Sequence, residues 1–207
     1  LEPWASWQFD LAIERYFANA GYVAVSLYHK ELDNWVFTDT AVVDFSQIDV
    51  PGPDQPTLRQ GIVTAPNNGE GGWIRGVELA ASVPFDVFSD SMRNFGLYVS
   101  ASFTDSEVKE TADAEPISMP GLSEEVINAT FYYENDSGFS ARISQRYRDK
   151  FLAETFAIGL SREFTIAKDE SILDAQLSWD MSNFGWEGIT LYAQGSNLTN
   201  EPFVQYL

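Results

Sequence analysis

Residues 189–202 read ITLYAQGSNLTNEP. The stretch opens with strict alternation. Ile189, Leu191 and Ala193 fall on one side of an extended chain, and Thr190, Tyr192 and Gln194 on the other. A period of two is the signature of a strand with one apolar and one polar face. The stretch closes on Asn-Leu-Thr-Asn-Glu-Pro, a cluster of turn-forming residues ending in a strand breaker. An amphipathic strand running into a polar turn is the unit that the rest of the chain repeats.

Upstream, residues 7–17 alternate Trp7, Phe9, Leu11 and Ile13 against Gln8, Asp10, Ala12 and Glu14. After a short Ala-Asn-Ala-Gly turn at 18–21, residues 22–37 continue as a second strand. Its end, Lys-Glu-Leu-Asp-Asn-Trp, is too polar for a lipid face and has to stand above a bilayer. A third strand covers 73–85, with Val77, Leu79, Ala81, Val83 and Phe85 on its apolar side. A fourth covers 94–104, where Phe95, Leu97, Val99, Ala101 and Phe103 oppose Gly96, Tyr98, Ser100 and Ser102. Strands at 126–134 and 139–148 flank a tight turn at Asn135-Asp-Ser-Gly138. Further strands at 171–180 and 189–198 complete a set of eight. Their connections alternate short and long, with long ones at 38–72, 105–125 and about 149–170. The first holds Pro51, Pro53, Pro56 and Pro66, and FLAETFAIGL in the third is expected to extend its flanking strands.

The pattern predicts an all-β, antiparallel, up-and-down sheet with every tight turn at one end. That is the plan of an outer-membrane barrel, with short periplasmic turns and long extracellular loops. A soluble up-and-down barrel shares it and differs in which face is polar. The aromatics favour the membrane. Trp4, Trp7, Trp35 and Trp73 lie at strand ends beside the long loops. Phe85, Phe95, Tyr133, Phe139, Trp179 and Trp186 lie near the short turns. Two such rows match interfacial girdles, and apolar runs of nine to eleven residues suit a tilted crossing.

Composition narrows the functions. The 207 residues carry 12 basic and 31 acidic side chains, a net charge of −19, which argues against nucleic-acid binding. Mean hydropathy is −0.19, and no apolar run is long enough for a transmembrane helix. Acid concentrates in the loops: 39–70 carry −4, 105–125 carry −6 and 149–171 carry −2. Solvated loops explain this, and a calcium-binding β-domain is an alternative, although no EF-hand spacing is present. There is no cysteine and one histidine, His29. Thiolate chemistry is excluded, and a His-based triad or zinc site is hard to build. No catalytic residue, cofactor or metal site is expected.

Several stretches resemble TonB-dependent outer-membrane receptors, in the family's order. They are Asp10-Leu11, Glu14 and Tyr16-Phe17; Tyr28, Lys30 and Asn34; Gly76 and Glu78; residues 120–152; LDAQLSWDM at 173–181; and the Asn-Leu-Thr turn. The resemblance implies about eight strands of a larger barrel, spanning 1–207, with the plug domain, TonB box and last strand or strands absent. It implies a receptor that binds and imports a scarce ligand such as an iron chelate, cobalamin or carbohydrate. Its partners would be outer-membrane lipid and, through the plug and TonB box, the TonB complex. Candidate lumen or ligand-facing residues are Glu78, Tyr98, Arg142, Arg146, Arg148 and Tyr192. The three arginines are expected to meet carboxylates such as Glu134, Asp174 and Asp180 on one face. A self-contained eight-stranded structural or adhesion barrel remains the alternative within membranes.

Overall fold

The computed structural model describes residues 1–18, 20–49, 57–158 and 161–207, with no side-chain description for 154–158 and 161–162. Pro51, Pro53 and Pro56 fall outside the described residues. Thirteen strands are present among those described: β1 Ser6–Phe17, β2 Gly21–Leu32, β3 Trp35–Asp44, β4 Gln60–Gly69, β5 Gly71–Pro84, β6 Phe95–Lys109, β7 Glu125–Glu134, β8 Phe139–Arg148, β9 Phe151–Ile158, β10 Ser161–Ala167, β11 Glu170–Asp180, β12 Thr190–Gly195 and β13 Gln205–Tyr206.

Eight of them form one antiparallel sheet in the order β1-β2-β5-β6-β7-β8-β11-β12. These are the eight amphipathic strands read from the sequence, paired in chain order. β1 and β12 have one neighbour each, so the sheet is open. Its register keeps odd residues with odd. Val25 lies opposite Leu79, Leu79 opposite Ala101, and Ala101 opposite Ile127. The apolar stripe of every strand therefore lands on one face.

The short ends are closed locally. At Asn135–Gly138 the Asn135 side-chain oxygen accepts from the Ser137 and Phe139 backbone N–H groups at 3.0 and 3.1 Å. Gly138 takes the positive φ of 81° that closes the turn. In the β11–β12 turn, Asp180 caps a 3-10 turn at Met181–Phe184, accepting from the Ser182 N–H at 2.8 Å and from its hydroxyl. These two bonds hold the Asp180 carboxyl below its ordinary value. A depressed carboxylate stabilises the fold above its unfolded pKa and loses that contribution as pH falls through the folded one. Protection of the Ser182 amide, corrected for intrinsic exchange, is thus expected to hold at neutral pH. It should disappear below the ordinary carboxylate range, and Asp180→Ala should remove it at every pH.

The long connections depart from the sequence reading. Residues 22–37 are not one strand: β2 ends at Leu32 and the chain turns at Asp33–Asn34 into β3. The connection at 38–72 is largely a hairpin, with β3 and β4 paired from Trp35↔Gly69 to Asp44↔Gln60. Its prolines hid this, but Pro66 is tolerated because a two-stranded hairpin has edges on both sides. β6 runs to Lys109, well into the second acidic loop, where Val108 bridges to Ile117. FLAETFAIGL does not extend the flanking strands within the large sheet. Its β9 pairs with β10, and β13 joins them as a separate three-stranded sheet.

The tightest packing lies at the loop end. Trp35 (3% exposed), Phe37, Val108 (0%) and Met119 are buried together, flanked by Leu32, Ile74, Ile117 and Leu122. The Trp35 indole N–H donates to the Lys109 carbonyl at 2.7 Å. Trp35 is thus a core residue of the folded loops and not a girdle residue as its position by a long loop suggested. The indole is buried because the β3–β4 hairpin, unforeseen in the sequence, folds down against β6.

Candidate functional site: the two faces of the sheet

The odd face is apolar along the middle of every strand. In β6 the band runs over nine residues, Phe95–Phe103, the length of a tilted crossing. At the short-turn end eight rings follow one another across it: Phe88, Phe85, Phe131, Phe95, Tyr133, Phe139, Trp179 and Phe184. Successive centroids are 4.8 to 6.2 Å apart. Each such pair adds about 0.5–1.5 kcal/mol beyond its buried area. Phe85, Phe95, Tyr133, Phe139 and Trp179 belong to this row as expected; Trp186 makes no ring contact in it. At the other end the band stops at a charged row, where His29 lies opposite Arg75 and Arg75 opposite Asp105. His29 itself meets Glu31 at 2.7 Å on its own strand.

The even face is polar and bonded from strand to strand. The Tyr28 and Thr104 hydroxyls meet at 2.7 Å, Thr130 and Ser144 at 2.9 Å, and Ser140 and Ser178 at 2.7 Å; the Asn128 amide donates to Ser100 at 3.3 Å. All six candidate residues have the parity of this face. Glu78 lies between Ser26 and Ser102 in register, beside a hollow of about 270 Å3 framed by small residues. Tyr98 joins a ring cluster, 6.4 Å from Tyr22, which is 6.1 Å from Tyr16. Tyr192 donates to Gln194 at 2.7 Å on the edge strand β12.

The arginines divide. Arg142 meets Glu134 at 2.7 Å, the carboxylate contact expected of it, and borders a second hollow of about 260 Å3 with Thr130, Ser144, Asp174 and Gln194. Arg148 meets no carboxylate among the described residues. It donates to the Ser123 hydroxyl at 2.7 Å and the Gly121 carbonyl at 3.0 Å, and its guanidinium lies 3.7 Å from the Phe151 ring centroid. It sits at the very end of β8, so loop 110–124 and β9 claim it. Arg146 stands exposed between Asn128 and Ile172 and has no ion-pair partner among the described residues. Asp174 instead accepts from the Asn197 backbone N–H at 2.7 Å, pinning the Asn-Leu-Thr turn. This last contact was not foreseen, since 23 residues separate the pair. Among the described residues no group of three or more His, Asp or Glu is placed to hold a metal ion.

An antiparallel sheet with one apolar, ring-edged face, one hydrogen-bonded polar face, tight turns below and folded loops above is the wall of an outer-membrane barrel. The chain matches the family model for the TonB dependent receptor-like β-barrel over residues 1–198, and it belongs to that family. No curated protein matches it. Its place is therefore the outer membrane and its role that of a receptor barrel in transport. The family's members are transporters and not enzymes.

Proposed function

We propose that this sheet is one side of a larger receptor barrel that closes around a plug domain and imports a scarce ligand with energy passed on by TonB. The observation that supports it most directly is the even face: a continuous polar wall carrying Glu78, Tyr98, Arg142, Arg146 and Tyr192, on a sheet whose two edge strands lack a second neighbour. The closed eight-stranded barrel is disfavoured because β1 and β12 do not pair. Arg146 serves as a docking point for a carboxylate of the plug, and Arg142 with Glu134 braces the barrel wall. The ligand is neutral or cationic, since loops with this excess of acid repel an anionic chelate on approach. A carbohydrate or a peptide suits such an entrance.

Arg142→Gln and Arg146→Gln in the full-length receptor test this. Arg142 and Glu134 are half exposed, so losing their ion pair costs at most about 1 kcal/mol. If a plug carboxylate meets Arg146 out of water, removing the arginine strands it and costs about 3–5 kcal/mol. Heat stability of the barrel should therefore fall more for Arg146→Gln, with uptake per folded molecule unchanged. The difference should vanish when the plug is deleted. Lost uptake with normal assembly and heat stability would instead make these arginines ligand contacts.

A further inference from the structure

The β3–β4 hairpin stands on the inward side of the wall. Trp35 and Phe37 of β3 pack with Leu32, Ile74 and Val108, whose even parity on β2, β5 and β6 is that of the polar face. The hairpin therefore overhangs the outer mouth of the barrel. Its two edges differ. The Phe45 N–H donates to the Arg59 carbonyl at 2.7 Å, one step beyond the Asp44↔Gln60 pair. Bonded and unbonded pairs alternate along an antiparallel ladder. The odd residues of β3 thus bond to β4, and the N–H and C=O groups of Val36, Thr38, Thr40 and Val42 point to the free edge. The same count turns Pro66 outward on β4, where it has no N–H to offer. The Asn68 N–H is taken by the Asn67 side chain at 2.9 Å, and the Asn68 amide holds the Glu2 backbone at 2.7 and 3.0 Å. The β4 edge is closed at its base. On the β3 edge, among the described residues, the Thr40 N–H alone is taken, by the Asp39 side chain at 2.8 Å. β9 comes within 8 Å of β3 between Cα atoms but does not pair with it.

We propose that the β3 edge binds an extended peptide of neutral or positive charge, which joins the hairpin as a third strand at the outer mouth. This rests on the import reading above and selects the peptide over the carbohydrate. The free donors and acceptors recur at every second residue, about 6.8 Å apart, the repeat of an extended peptide backbone. The side chains of Thr38, Thr40 and Val42 turn away from the packed face of Trp35 and Phe37, and Val42 (51% exposed) lies opposite Ile62 (56%). β-Branched or aromatic side chains of the peptide pair with Thr38 and Val42 there. Charge sets the sign. Asp39 and Asp44 have no ion-pair partner among the described residues, and 39–70 carry a net −4, so basic peptides are drawn in and acidic ones repelled. A third strand also firms a hairpin that has only two.

The test measures binding to the full-length receptor in detergent, at physiological salt, by fluorescence anisotropy. The probe is a labelled, end-capped octapeptide alternating lysine and valine. It is compared with the same peptide N-methylated at two adjacent central residues, which keeps its charge but blocks both of its strand edges. The glutamate–valine counterpart and maltohexaose complete the set. The unmethylated basic peptide should bind about tenfold more tightly than its methylated or acidic form, the effect of losing one or two backbone bonds. Maltohexaose should not displace it, and amide exchange at Thr38 and Val42 should slow when it is bound. Thr38→Pro removes an N–H from the β3 edge and should weaken binding by a similar factor. Thr64→Pro removes one from the β4 edge and should leave binding unchanged. Equal binding of the methylated and unmethylated peptides, tighter binding of the acidic one, or no peptide binding would overturn the proposal. The wild-type comparison of the first two decides it even if neither proline variant folds. Maltohexaose bound and imported in place of the peptide would overturn it and leave the import reading standing. Peptide bound at β3 but never taken up by cells that carry TonB would overturn the import reading alone.

Discussion

Arginine at Val99 is expected to destabilise the barrel by about 2–4 kcal/mol, while arginine one residue along, at Ser100, should change its stability by no more than about 0.5 kcal/mol. Val99 lies midway along the apolar band of β6, opposite Ala81 on one side and Ala129 on the other. A guanidinium there has only small apolar neighbours and must be held in hydrocarbon. Ser100 lies opposite Ala80 and Asn128 and faces the polar side, where it accepts a hydrogen bond from the Asn128 amide. Urea titration of the full-length receptor refolded into lipid vesicles reads both variants on one scale. Equal losses would mean that the two faces see the same medium, and the lipid-facing assignment of the odd residues would fall.

The second large effect belongs to the outer loops. Trp35→Ala is expected to cost the loop core about 3–5 kcal/mol, because it leaves a cavity among Phe37, Val108 and Met119 and removes the indole hydrogen bond to the Lys109 carbonyl, which keeps only the Glu70 N–H as donor. Gly72→Ala should act at the same place for a different reason. Gly72 has a φ of 152°, and a β-carbon there would lie 1.9 Å from the Glu107 carbonyl oxygen. β5 could no longer lie against β6 at the hairpin base. Both variants should lose amide protection in β3, β4 and residues 110–122 while the central strands β6, β7 and β8 keep theirs. Hydrogen exchange resolved by peptide separates these regions. Loss of protection throughout would show that the loop core and the membrane sheet unfold as one unit.

The two regions also differ in how far they could be read in advance. Eight strands, their order and the polarity of their faces follow from alternation alone. A strand's side chains point to opposite faces by covalent geometry, and a bilayer tolerates charge on only one of them. Ends were misplaced by a few residues: 189–198 shortened to Thr190–Gly195 and 94–104 lengthened to Lys109. Where lipid no longer imposes a face, alternation ceases to be informative. β3 and β4 carry Asp and Asn on both sides (Asp39 and Asn67, Asp44 and Asn68), and Pro66 interrupts β4, so nothing in 35–69 announces a hairpin, and nothing in Trp35 separates a girdle ring from a core ring. The shared parity of Glu78, Tyr98, Arg142, Arg146, Arg148 and Tyr192 was legible in the sequence. Which arginine meets a carboxylate was not, because that depends on strand ends and on which loop reaches them. Alternation by itself determined an amphipathic antiparallel sheet with tight turns at one end, and the rows of aromatics at its two ends pointed that sheet to a membrane. Only the tertiary structure decided that the loops above it fold into a core, that Arg148 serves that core, and that β3 is left with an open edge above the inward face. Such outcomes depend on contacts between residues far apart in the chain, which no local period encodes.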